Sequence, residues 1–443
     1  MISVIRKVTA AAVGGCVVLT SAFAGETVLF GVPVQISAPG QRSLAPDIDL
    51  GADGTVHVLW VSKAPLPERD ADHAGGMNHD ATDELFYRRS IDGGQRFGEP
   101  VRVNRREGDV WGFSVSKPEL SVAPDGSIHV MYTSNVTHPN TGKGLLVARY
   151  TRSVDDGQTF EPARTLNSPA KNDLSAIMHG GFAAAHAFGT LTTDANGGVH
   201  VYWIDTRFMA EQDTVSALFV ATSRDNGKTF APDSAVYKSK VCPCCQLDAD
   251  TRDNQVFLSS RWVFPEGSRD SAVAISNDSG RTFADPARLG EGRWMIEGCP
   301  LKRTSIDVVS EYVYTAWFTA GQEPAGVYFA RSTDGGETYQ ESIALHADAL
   351  VSDAPSVAAL DDGTVFVAWH AKTGGPRRVF ISISADYGGS FSAPIEVPAP
   401  EGTAAYPEIV AGAGNAYLAW QQDESVFVIS VELAGAVIAA KRR

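Results

Sequence analysis

The sequence predicts an all-β protein folded as a seven-bladed propeller, and three observations carry that expectation. A turn pattern, Ser-x-Asp-x-Gly-x-x-aromatic, recurs six times; an alternating apolar unit whose second strand ends in Trp or Tyr recurs seven times; and the segment near the N-terminus copies the strand that closes the units. Repeats at intervals of about 50 residues signify blades or solenoid turns rather than a string of independent domains.

The turn copies are SIDGGQRF (90–97), SVDDGQTF (153–160), SRDNGKTF (223–230), SNDSGRTF (276–283), STDGGETY (332–339) and SADYGGSF (384–391). Asp accepts hydrogen bonds from nearby backbone N–H groups, Gly supplies a positive φ, and the aromatic ring anchors the turn in the core. Asp92, Asp155, Asp225, Asp278, Asp334 and Asp386 are therefore expected to be turn-formers, remote from any active centre.

The apolar units are clearest in APDIDLGADGTVHVLW (45–60), KPELSVAPDGSIHVMY (117–132) and APSVAALDDGTVFVAW (354–369), with looser copies ending at Trp203, Trp262, Trp317 and Trp420. Each is followed by a β-rich strand that runs into the Ser-x-Asp turn and then by a short fourth strand. Four strands in about 50 residues describe a propeller blade. The last unit stops after three strands, while FGVPVQI (30–36) copies the closing strand FGEPVRV (97–103). The two chain ends are thus expected to complete one blade, which hides the edges of the sheet; six blades are the alternative.

A basic pair (Arg6, Lys7), an apolar run and Ala22-Phe23-Ala24 read as an export signal over residues 1–24, leaving 25–443 as one propeller domain. The expected location is periplasmic or secreted. No later stretch is apolar for long enough to span a membrane, and the expected assembly is a monomer. The formal net charge of -15 argues against a nucleic-acid partner.

The six turns resemble the Asp box of the sialidase superfamily and of related BNR-repeat propellers. That resemblance implies the fold, and for activity it implies an exo-sialidase or related glycoside hydrolase. Family sialidases carry an Arg-Ile-Pro motif, an arginine triad, a Tyr-Glu nucleophile pair and an Asp acid. Here the first place reads Gln41-Arg42-Ser43-Leu44-Ala45-Pro46, so no catalytic residue carries over by motif. Arg42, Asp72 in an Asp-rich loop, and Tyr406 lie where such roles would be filled. Cys-Pro-Cys-Cys with a later Trp294-Met295-Ile296-Glu297-Gly298-Cys299-Pro300 resembles exported bacterial propellers labelled as sialidases by repeat, a resemblance with no chemistry attached.

In a blade running outward from the axis, the tight turns and the Ser-x-Asp turns share one face. The opposite face receives the long, varied loops, and binding is expected there. That face collects Cys242, Cys244, Cys245, Cys299, Met178, His179, His186 and Met295. His57, His129 and His200 sit at one repeat position within strands and read as structural. Four cysteines in an exported chain form two disulfides in the simplest reading. Cys242 and Cys245 also have the Cys-x-x-Cys redox spacing without its βαβ context. Thiolate, thioether and imidazole together favour a copper site, Cu(I), or a zinc site. The sequence is thus read first as an exported binding module with a soft-metal or thiol site on its loop face. A glycoside hydrolase acting on a glycan at that face and a protein–protein interaction scaffold remain open.

Overall fold

The computed structural model describes residues 26–63, 83–137, 142, 144–169, 185–209, 215–346 and 351–434, with three short strand segments before residue 26. Every regular element among them is a strand, and seven sheets follow one another as the blades of a propeller. Blade 1 comprises Ser43–Leu50, Val56–Ser62, Glu84–Ser90 and Val101–Arg102; blades 2 to 6 repeat the plan, with innermost strands Glu119–Val122, His186–Thr193, Asp248–Arg252, Thr304–Val309 and Val351–Ala359. Blade 7 is built from Ala404–Gly412, Asn415–Gln422 and Ser425–Ala434 and is completed from the other end of the chain. Glu26–Phe30 and Val34–Gln35 both pair antiparallel with Ser425–Ala434, in the register Phe30↔Val431 and Gln35↔Phe427. Among the described residues, no helix is long and apolar enough to cross a membrane.

The aromatic end of each second strand has a packing reason. Trp60, Trp203, Trp317, Trp369 and Trp420 are buried, and each faces an aromatic residue directly across on the third strand: Phe86, Phe219, Tyr328, Phe380 and Phe427. The paired rings stack, with centroids 5.8 to 6.4 Å apart. Such cross-strand pairs add to area burial and pin the register. Blade 4 departs from this: Trp262 stands opposite Asp270 and instead meets Tyr237 edge-on.

The Ser-x-Asp turns close by the same bonds, except that in the first Arg96 Nε stands in for the hydroxyl. In the second, the Ser153 hydroxyl donates to Asp155 Oδ1 and accepts from the Gly157 N–H, while the Thr159 N–H and hydroxyl donate to the two Asp155 oxygens. Gly157 has φ +77°, and a Cβ there would fall 2.2 Å from the Tyr87 ring of the preceding blade. The turn is thereby docked against the His57–Tyr87 hydrogen bond of 2.7 Å. His129 repeats that bond with Tyr150, and His200 bonds Asp194. Burial holds His57 and His129 down at about 4, so these histidines are neutral structural members. Ser153→Ala removes one buried hydroxyl that serves both ends of the turn. It is expected to cost about 1 to 3 kcal/mol, read by urea unfolding; an unchanged midpoint would show that the hydroxyl does not hold the turn.

Around the axis, the innermost strands are clasped blade to blade. Asp47 accepts from the Leu120 N–H, Asp49 from Val122, Asp248 from Ile306, Asp250 from Val308 and Asp307 from Ala359. Ser305 and Ser356 accept from Val357 and Ile409 in the same way. One polar residue per rung thus satisfies a backbone donor that would otherwise face the channel.

Candidate functional site

Val241-Cys242-Pro243-Cys244-Cys245-Gln246 connects blade 3 to blade 4 on the face opposite the Ser-x-Asp turns. Val241 bridges Trp262, and the Cys242 N–H donates to the Arg261 carbonyl, so the segment starts anchored to blade 4. A turn at Pro243-Cys244 follows. Proline at the second position of a four-residue turn presets φ and brings the first and fourth residues together. The consequence is a Cys242–Cys245 sulfur separation of 3.7 Å. Cys244 joins them, and all three sulfurs lie within 4.8 Å of one another, buried.

Gln246 fixes the other end of the segment. Its side-chain oxygen accepts from the Lys117 N–H, and its nitrogen donates to the Lys117 carbonyl, Glu119 and the Gly189 carbonyl. The cysteine turn is therefore pinned across the channel mouth to blades 2 and 3. From the next connection, the Lys302 N–H donates to Cys245 Sγ at 3.4 Å. The Arg269 guanidinium donates through Nη1 both to Cys242 Sγ, 3.7 Å, and to the Gly298 carbonyl, 2.6 Å. Gly298 has φ +142°, a conformation open to glycine alone. Cys299 follows it, exposed.

Charge is distributed unevenly over the four thiols. Hydrogen bonds from Cys244 and Cys245 hold Cys242 well below the usual thiol range against its burial, and Arg261 and Arg269 add to this. Hydrogen bonding with Cys242 and Cys245 pushes Cys244 up. Burial pushes Cys245 up to about 12. Cys242 is thus the thiol of the trio most disposed to ionise, with two guanidinium groups placed to balance negative charge.

Beside the thiols, the channel mouth carries a buried ion network. Lys117 Nζ meets Asp47 at 2.6 Å, Glu119 at 3.2 Å and Glu408 at 3.7 Å. Arg303 pairs with Glu408 and Asp248. Burial pushes Glu119 up to about 7, opposed by Lys117. The mouth, lined by Ser114, Gln246, Arg303, Tyr406 and Glu408, leaves a cavity of about 20 Å³, room for one water. Below it the channel widens to about 190 Å³.

The structure brings together three of the four cysteines expected to converge, leaves Cys299 on the adjoining loop that Arg269 ties to them, and places Tyr406 at the same mouth. Arg42 is elsewhere, half-exposed in an ion pair with Glu424 at 3.7 Å. His186 does not turn to the sulfurs. Ala185 and Ala187 face the cysteines, so strand alternation sends His186 to the other side, where Nδ1 bonds Asp205 at 2.8 Å. Met295 is 64 % exposed, beside Gly267. Met178, His179 and Asp72 lie outside the described residues. Lys117, Arg303, Glu408 and Gln246 were not singled out by the sequence reading. An acid recurs at one repeat position in APDIDL, KPELSV, QLDADT and YPEIVA, and that recurrence is the signal that points to the axial network.

No protein-family model matches the chain, and no curated protein matches it. Solved structures match in fold over nearly the whole chain. A protein of unknown function from Dyadobacter fermentans is 16 % identical with a TM-score of 0.53, over 91 % of this chain and 98 % of its own. An α-L-arabinanase of Penicillium chrysogenum, solved with arabinobiose, is 14 % identical with a TM-score of 0.51, over 91 % and 98 %. A Hadza microbial sialidase is 15 % identical with a TM-score of 0.49, over 92 % and 96 %. At these identities the likeness is one of fold, shared with the arabinanase and the Dyadobacter protein.

Proposed function

We propose that this propeller is an exported binding module that holds one soft metal ion, Cu(I) in preference to Zn(II), in the thiolate cage of Cys242, Cys244 and Cys245. The observation that carries the reading is the gathering of three buried sulfurs within 4.8 Å. Thiolate sites with metal–sulfur bonds of about 2.3 Å space their sulfurs about 3.8 Å apart, and Cys242 and Cys245 already stand at 3.7 Å. Soft thiolates select Cu(I). Three of them around a monovalent ion leave two negative charges, which Arg261 and Arg269 are placed to offset. A structural zinc site would instead close with a fourth buried ligand, and the remaining thiol is the exposed Cys299.

A glycoside hydrolase would need free carboxylates at the mouth. Here Glu119 and Glu408 are both committed to Lys117, and Glu408 also to Arg303. The fold supports the binding reading equally well, because propellers of one architecture serve unrelated functions.

Titration of the reduced protein with Cu(I) against a chromophoric chelator tests the reading. One ion per chain is expected, with affinity at least about a hundredfold lower in Cys245→Ser, since a hydroxyl cannot replace a thiolate for a soft ion. Unaltered affinity in that variant, or no uptake by the wild type, would overturn it.

A further inference from the structure

We infer that Cys299 is the receiving thiol of the site: it takes Cu(I) from an external thiol-held donor and passes it to the buried cage. This rests on the metal reading above and adds how the ion gets in and what kind of partner delivers it.

Three observations point the same way. The sulfurs are graded in exposure: Cys242, Cys244 and Cys245 are buried, whereas Cys299 is exposed. Their contacts are ordered as well. Cys242, Cys244 and Cys245 lie within 4.8 Å of one another. Cys299 itself lies outside the group of mutually close sulfurs. Finally, the loop that carries Cys299 is tied to the cage by a single group, since Arg269 donates at once to Cys242 and to the Gly298 carbonyl. A fourth ligand that only completed a closed coordination sphere would be buried with the others; one that meets a donor must stand in solvent next to a buried neighbour.

The chemistry is ligand exchange with no change of oxidation state. The Cys299 sulfur binds Cu(I) held by two thiolates of the donor; one donor–copper bond breaks, and the released donor thiolate takes the proton that Cys299 gives up. A first cage thiol then bonds the ion, and its proton goes to the second departing donor thiolate. As the other two cage thiols close around copper, Cys299 leaves and is reprotonated by one of their protons, while the other proton goes to solvent. Each step keeps copper at two or three sulfurs, which a soft d¹⁰ ion tolerates. The reactive partner at each step is a thiolate, and the thiol that solvent and a donor can reach is the first acceptor. The partner is accordingly a Cu(I) complex of a small thiol or of a thiol-bearing protein. Arg269 acts as a positioning residue that keeps the Gly298-Cys299 loop over the cage.

The experiment compares equilibrium and rate in wild type and Cys299→Ser, with Cu(I)–glutathione as donor and sulfur-to-copper charge-transfer absorbance as readout. Affinity from chelator competition should change less than about threefold, while the loading rate falls at least about tenfold. Loading at the wild-type rate would overturn the inference, and so would an affinity loss as large as that of Cys245→Ser, which would make Cys299 an ordinary ligand. Brief alkylation of the folded wild type, which reaches the exposed thiol, should reproduce the slow loading; unchanged loading after confirmed modification at Cys299 counts against it. A wild type that binds no Cu(I) from the chelator removes the metal reading itself, a result distinct from a wild type and Cys299→Ser that load alike.

Discussion

A chain that begins at residue 38 is expected to lose its cooperative unfolding transition, whereas one that begins at residue 25 keeps it. The segment between them supplies the outer edge of blade 7 and three core side chains. Val28 and Phe30 are buried between blades 6 and 7, and Ile36 between blades 7 and 1. Burying three such side chains contributes about 5 to 8 kcal/mol. The backbone adds Gly31 N–H to the Ser430 carbonyl and Ile36 N–H to the Val426 carbonyl, and Arg88 crosses from blade 1 to the Ile36 carbonyl at 2.7 Å. Against a net stability of about 5 to 15 kcal/mol for a domain, losing all of this leaves little, and it also exposes an unpaired strand edge to aggregation. Near-UV circular dichroism and thermal unfolding of the two chains check it. A shorter chain that melts as sharply, and within a few degrees of the longer one, would show that closure by the N-terminal strand is dispensable.

The repeat made the architecture legible because each blade solves the same burial problem with the same residues. FGVPVQI could be matched to FGEPVRV because both occupy the fourth-strand position, and the register Gln35↔Phe427 is what that match requires. The thiol turn was legible for a local reason: Cys-Pro-Cys-Cys is one turn long, and proline sets its geometry. The placement of Cys299 on the loop beside the thiol turn follows from its phase in the repeat, since both segments connect neighbouring blades. His186 was placed wrongly among the sulfurs because its position before the third blade was read without the two-residue alternation of the strand it begins. With Ala185 and Ala187 on the sulfur side, the alternation itself turns His186 toward Asp205. The axial network was hidden for a different reason. Lys117 and Gln246 are 129 residues apart, and charged residues at loop–strand junctions look solvated until the channel brings them together.

Lys117→Met should destabilise the fold by about 3 to 5 kcal/mol near pH 8, the usual cost of removing one partner from a buried ionic group. The Lys117 side chain is 4 % exposed. Burial alone would lower its pKa, but Asp47, Glu119 and Glu408 outweigh that and hold the ammonium above the usual lysine range. Without it, Asp47, Glu119 and Glu408 lose their ammonium, and the nearby Arg303 guanidinium is already paired with Asp248 and Glu408. The sign with pH follows from Glu119, which burial already pushes up to about 7 from an ordinary 4.5. Removing the ammonium raises it further, so the folded variant binds a proton that the unfolded chain has released at neutral pH. A raised carboxylate favours folding at low pH and loses that contribution as pH rises through the folded value. The penalty should therefore shrink between pH 8 and pH 5, when the variant is compared with wild type by urea unfolding at each pH. A penalty that stays constant, or grows on acidification, would mean that Lys117 contributes packing rather than charge. Since the Lys117 backbone N–H and carbonyl both bond Gln246, which pins the cysteine turn, a variant that still folds should also bind Cu(I) more weakly. Full affinity in a clearly destabilised variant would separate the axial network from the thiol cage.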